Sequence, residues 1–131
     1  MIDHLTLLVS DAAKTRDLLL EALAPLQYAL VMELTPEQVP SLNTKLAVGL
    51  GAGGKPDLWL RQVDGEVAGT HVALTAKDRA AVDAFHAAAL AAGAKDHGAP
   101  GVRAHYHEHY YGAFVLDGDG NNIEVVCHAP G

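Results

Sequence analysis

The stretch Tyr110–His128, YYGAFVLDGDGNNIEVVCH, holds two apolar runs joined by a link of aspartates and glycines. Asp117-Gly118-Asp119-Gly120 is turn chemistry of the kind that closes a hairpin, so the runs on either side read as paired strands. The second strand carries one acid, Glu124, among Ile123, Val125 and Val126. Such a residue either lies on a solvated face or points into a cavity and binds something.

Working outward, the segment before this hairpin also has a recognisable order. GTHVALTA, from Gly69, reads as a strand with His71 inside it. Asp78 offers an N-cap to a helix from about Arg79 to Ala92, with Val82, Phe85, Ala89 and Leu90 on its apolar face and Gly93 at its end. AKDHGAP then leads to a short strand. HYHEHYYGAFVLD is a strand at least in its second part. The first half of the chain repeats this order. Ile2–Val9 is a strand containing His4, and Ser10-Asp11 caps a helix over Ala12–Leu26 that Pro25 distorts or ends. Strands follow from Tyr28 (YALVMEL), over Lys45–Leu50 and over Asp57–Val63. The loop TPEQVPSLN and the turn Gly51–Pro56 separate them.

The order βαβββ therefore occurs twice, with the boundary near Gly65 and modules of about 1–65 and 66–131. Each half is too small to bury a good core alone. Together they predict an α+β fold, with two curved sheets around a cleft and helices outside. At 131 residues, 50% of them hydrophobic, the chain has material for one packed domain. A net charge of -7 argues against nucleic acid and against an anionic membrane surface as partners. The single cysteine, Cys127, excludes an intrachain disulfide and reads as a small buried strand residue. The N-terminus lacks the basic start and apolar run of a secretory signal, and the alanine-rich Arg79–Gly93 is too short to span a bilayer. These features predict a soluble, cytoplasmic protein.

His4, His71 and Glu124 are each ionisable within an apolar strand. Buried and unpartnered, such a group costs several kcal/mol in order of magnitude. A divalent metal would partner all three, and two imidazoles with one carboxylate suit Fe(II), Mn, Ni or Zn while leaving positions open. A core histidine satisfied by backbone groups, and a metal-free His–Glu pair, are the simpler alternatives.

Three stretches carry a family resemblance: IDHLTLLVSDAAKTRDLLLEALAPLQY, GTHVALTAKDRAAVDAFHAAALAAGA and YYGAFVLDGDGNNIEVV. Together they resemble the vicinal oxygen chelate superfamily, the glyoxalase/bleomycin-resistance/dioxygenase group, over nearly the whole chain. The resemblance implies paired βαβββ modules cupped around a metal, often in a homodimer, with His4, His71 and Glu124 at the ligand positions. Two departures stand out. DLWLRQ places Trp59 where the glyoxalase branch has a fourth ligand, which leaves a three-ligand pattern closer to the dioxygenases. Gly118 stands where the family commonly has proline.

HYHEHYY sets His105, His107 and His109 at intervals of two, on one face with Tyr111 if the segment is a strand. His107 and Tyr111 are the candidates for proton transfer. An irregular exposed loop, or a weak surface metal site, is the alternative. Trp59 is a candidate substrate contact. Arg61 and Arg103 are candidate anchors for an anionic group but suit the surface better. His86 reads as facing outward on its helix and His97 as solvated in a loop; His128 shares the Glu124 face and either lines the cleft or is a frayed end, the second being preferred.

Two functions compete. One is a metal-dependent enzyme acting on a small molecule through two neighbouring oxygens, as a lyase, an isomerase or a dioxygenase. The other is non-catalytic sequestration of a drug or metabolite, as in the bleomycin-resistance branch, for which acidic walls and aromatic stacking would be needed. The net charge favours the second and the paucity of aromatics, 5%, opposes it.

Overall fold

The computed structural model describes all 131 residues. Its strands are β1 (Leu5–Val9), β2 (Ala29–Leu34), β3 (Ala47–Gly51), β4 (Leu58–Gln62), β5 (His71–Thr75), β6 (Lys95–Val102), β7 (Tyr111–Leu116) and β8 (Asn122–Cys127). Helix α1 (Ala12–Ala22) follows β1 and helix α2 (Arg79–Ala91) follows β5, so βαβββ occurs twice as expected. Two four-stranded sheets result, in the orders β1-β4-β3-β2 and β5-β8-β7-β6. Each has one parallel pair, β1 with β4 or β5 with β8, and antiparallel pairs elsewhere. The sheets do not close on each other.

Local chemistry sets the helix limits. Asp11 accepts the N–H of Lys14 at 3.0 Å and Asp78 accepts that of Ala81 at 2.8 Å, so both helices carry a side-chain N-cap. Pro25 falls in a 3₁₀ turn, Ala24–Leu26, which ends α1 short of Leu26. Gly93, at φ +104°, takes the chain out of α2. Neither helix is long and apolar enough to cross a membrane.

One apolar face of each sheet packs on the helices. Leu7, Val9, Leu58 and Leu60 from the first sheet, Ile123, Val125 and Cys127 from the second, and Leu19, Val82 and Phe85 from the helices belong to one continuous core. The opposite faces hold the ionisable strand residues. Strand alternation puts Thr6 and Leu8 on that face of β1, with Trp59 and Arg61 beside them on β4 and His4 just ahead of the strand. In the second sheet it puts Ala73, Glu124 and Phe114 side by side across β5, β8 and β7.

The structure corrects several local expectations. AKDHGAP is itself the start of β6, so His97 is a strand residue. His105–His109 form turns rather than a strand, so alternation does not align their side chains. His86 is buried at 8% exposure, and its Nε2 lies 3.0 Å from Asp96 Oδ1.

The β7–β8 turn is tied down from inside. Asp117 is buried and its carboxylate accepts the N–H groups of Asp119 and Asn121 and the Asn121 amide. Asn121, fully buried, in turn accepts the N–H of Thr70 at 2.9 Å. That bond joins the start of β8 to the start of β5 and sets His71 opposite Asn122. Replacing Asn121 by Ala leaves the Thr70 N–H and one Asp117 oxygen without partners. The expected loss is about 2–4 kcal/mol of stability, read as a lowered urea midpoint at unchanged slope.

Candidate functional site

Glu124 lies in the middle of β8 and is 2% exposed. Both its oxygens are engaged. His71 Nε2 is 2.7 Å from Oε2, and the Tyr110 hydroxyl donates to Oε1. The side chain of His71 is half-exposed, so the pair runs from the buried sheet face to solvent. Phe114, opposite Glu124, packs near the His71 ring with centroids 6.3 Å apart. Gly112 makes room for the cluster: a Cβ there would lie 3.3 Å from the Tyr110 ring and 3.5 Å from Glu124 Oε1.

Tyr110 is the residue that sequence reasoning missed. Phe114 pairs with Glu124 across the hairpin, so the even-numbered residues Tyr110, Gly112 and Phe114 fall on the Glu124 face. Tyr111 falls on the other. Its hydroxyl donates to Asp83 of α2 at 2.6 Å, and the Arg79 guanidinium lies 4.9 Å from the ring centroid. Tyr111 is thus a sheet-to-helix contact on the side away from Glu124. The register of the hairpin, Phe114 against Glu124, was the signal that distinguishes the two tyrosines.

The histidine-rich turn does approach this cluster. His128 packs edge-on against Tyr110 at 5.3 Å and against His107 at 5.6 Å between ring centroids. His107 Nδ1 accepts the N–H of His109. His107 therefore stands one ring away from the tyrosine on Glu124, and the His105 ring lies tilted against that of exposed Tyr106. Arg103 donates to the carbonyls of Ala99, Gly101 and Gly112 and lies over Phe114, so it shapes the loop rather than offering a free charge.

His4 is elsewhere. It lies exposed just ahead of β1 and not inside the strand, since β1 starts only at Leu5; its Nδ1 lies 2.8 Å from Asp3 Oδ1, and Lys55 donates to the other Asp3 oxygen. No three His, Cys, Asp or Glu side chains are placed together so as to hold a metal ion. His71 and Glu124 are a fitting part of a ligand set, an imidazole and a carboxylate side by side. A three-ligand site of the expected kind would need a third donor from elsewhere. Trp59 lies with His4 and Arg61 around a cavity of about 270 Å³ on the open face of the first sheet.

No family model matches the chain, and no curated protein does. Solved structures do. One is a glyoxalase/bleomycin resistance protein from Albidiferax ferrireducens, with 22% identity over 97% of both chains and a TM-score of 0.71. A glyoxalase I variant from Zea mays matches at 20% identity and TM-score 0.70, over 95% of this chain and 46% of that one. A variant of the fosfomycin resistance protein of Listeria monocytogenes, complexed with Mn(II) and a dihydroxypropylphosphonic acid, matches at 17% identity and TM-score 0.66 over 95% of this chain and 86% of that one. The chain shares the fold of these glyoxalase and bleomycin-resistance-type proteins.

Burial and the neighbouring Glu124 carboxylate both disfavour a phenolate at Tyr110, and its pKa is pushed up to about 12 from an ordinary 10.0. The folded state then holds a proton that the unfolded chain releases first. This contribution to stability is fully present below pH 10 and is lost as the pH rises through about 12. In an ultraviolet titration, the difference between wild type and Tyr110→Phe should carry one ionisation near pH 12. In a Glu124→Gln background that ionisation should move back toward 10, since the charge that opposes the phenolate is gone.

Proposed function

We propose that this protein is a metal-dependent enzyme acting on a small molecule, of the glyoxalase/dioxygenase type. Its divalent metal, Fe, Mn, Ni or Zn, would be held by His71, Glu124 and His4. The observation that supports this reading most is Glu124 itself: an almost fully buried carboxylate, away from the helical core, whose only side-chain partners are a half-exposed imidazole and a tyrosine. Because His4 does not meet them within the chain, a second copy supplies it, and the working form is a homodimer. A metal held there would supply Lewis acidity toward two neighbouring oxygens of the substrate.

The remaining work falls to this chain's side chains. Tyr110 keeps a proton at Glu124 Oε1 through the neutral pH range, which orients the carboxylate toward His71. His128 and His107 continue from Tyr110 toward solvent and serve as the proton carriers. Phe114 and Tyr110 shield the carboxylate from water. Trp59 offers an aromatic wall to the substrate.

A second reading is sequestration of a ligand without catalysis. The lack of a three-donor cluster within one chain favours it. Metal content separates the two. Untagged wild-type protein should hold about one transition metal per chain by mass spectrometry, and both Glu124→Ala and His4→Ala should lose it. Refolding these two variants as a mixture should restore metal to mixed dimers, one intact site in each, because the second copy provides the missing donor. Protein that takes up no Fe(II), Mn, Ni or Zn on anaerobic reloading would leave sequestration as the function.

A further inference from the structure

The open face of the first sheet holds a second set of groups, of which the proposed function draws only on His4 and Trp59. Trp59 pairs with Thr6 on one side and Gly49 on the other, and Arg61 pairs with Leu8 and Ala47. Gly49 is the seat of the indole: a Cβ there would lie 3.1 Å from the Trp59 ring. With the ring laid over this glycine, Trp59, Leu34, Leu42 and Ala47 wall the cavity of about 270 Å³, with His4 and Arg61 also on its boundary. The hollow is open to solvent, so it can take one face of a single ring against its apolar wall and leave a short tail at its rim.

Arg61 gives the hollow its sign. It donates through Nη2 to the Asn43 carbonyl at 2.8 Å, and its other N–H groups have no protein partner. It makes no ion pair; of the nine basic residues only Arg16, Lys45 and Lys55 do. Arg61 also borders a second hollow of about 430 Å³, where Lys45 and Asp64 offset each other across 3.9 Å. Glu33, the nearest acid on β2, is taken up by Arg16. The one uncompensated charge beside the apolar wall is therefore positive.

We propose that this face is a binding subsite for an aromatic monocarboxylate, with the ring against Trp59 and the Leu34–Leu42 wall and the carboxylate on the Arg61 guanidinium. A planar guanidinium with free N–H groups recognises a carboxylate through paired, charge-assisted hydrogen bonds. A cationic ligand, of the kind that acidic walls would hold, is disfavoured here. This deepens the proposed enzyme function by naming its substrate class, and rests on it only for the reaction that follows binding.

Trp59 is the only tryptophan, so its fluorescence reports this site alone. Chelator-treated protein is titrated with phenylacetate, phenylacetamide and phenethylamine, which share a ring and differ in charge. Phenylacetate should shift Trp59 emission saturably and bind roughly tenfold or more tightly than the neutral amide, and the amine should bind weakest. Arg61→Gln should bring the acid down to the level of the amide, while Arg61→Lys keeps part of the preference. Circular dichroism shows that both variants are folded. Glu124→Ala should leave the preference unchanged, so a failure of the metal reading would not touch this one. Equal binding of acid and amide, preference for the amine, or emission that no probe moves would overturn the proposal.

Discussion

A carboxylate taken out of water has to be answered by hydrogen bonds, and Glu124 imposes that requirement on everything around it. His71 answers one oxygen and Tyr110 the other. For His71 to arrive, β5 must lie parallel to β8 in one register, and the buried Asn121 bond to Thr70 holds it there. For Tyr110 to arrive, the chain must leave the hairpin with Gly112 beneath the ring, since a side chain at that position would crowd both tyrosine and carboxylate. A slip of one residue in either pairing would turn these side chains to the opposite face and strand the charge.

The two modules share an order of elements and differ in what they place on their open faces. The second sheet carries the ionisable cluster, closed over by Phe114 and Tyr110. The first carries an apolar wall with one arginine, and Leu8 and Met32 on it remain about 45% exposed. One face is suited to hold an ion or a proton, the other to hold a ring and an acid group. Trp59 sets the contrast, because it occupies β4 where a carboxylate could have made the two halves alike.

Much of the fold was legible in the sequence because the strands and helices differ in period and are bounded by Asp, Gly and Pro. The double βαβββ order, both N-caps and the last hairpin follow from those local signals. What was hidden depends on contacts across the sheet. HYHEHYY has the spacing of a strand, yet it turns, because the strand that would have paired with it ends at Val102. Tyr111 was the tyrosine singled out, whereas Tyr110 meets Glu124; only the pairing of Phe114 with Glu124 distinguishes them. His86 looks like a surface residue on its helix and is buried because β6 brings Asp96 to it. The likeness to the oxygen chelate proteins located His4, His71 and Glu124 as candidates, and the structure unites the last two while leaving His4 with Asp3.

The apolar core runs without a break from β1 through both helices to β8, even though the chain is built as two similar halves. Neither half therefore has a melting transition of its own. Heat or denaturant would take the chain apart in a single cooperative step, and the duplication is one of pattern and not of thermodynamic units. A weakened contact in the helix of the first module would raise the opening rate of the strand that carries Glu124, so the two faces share one lifetime.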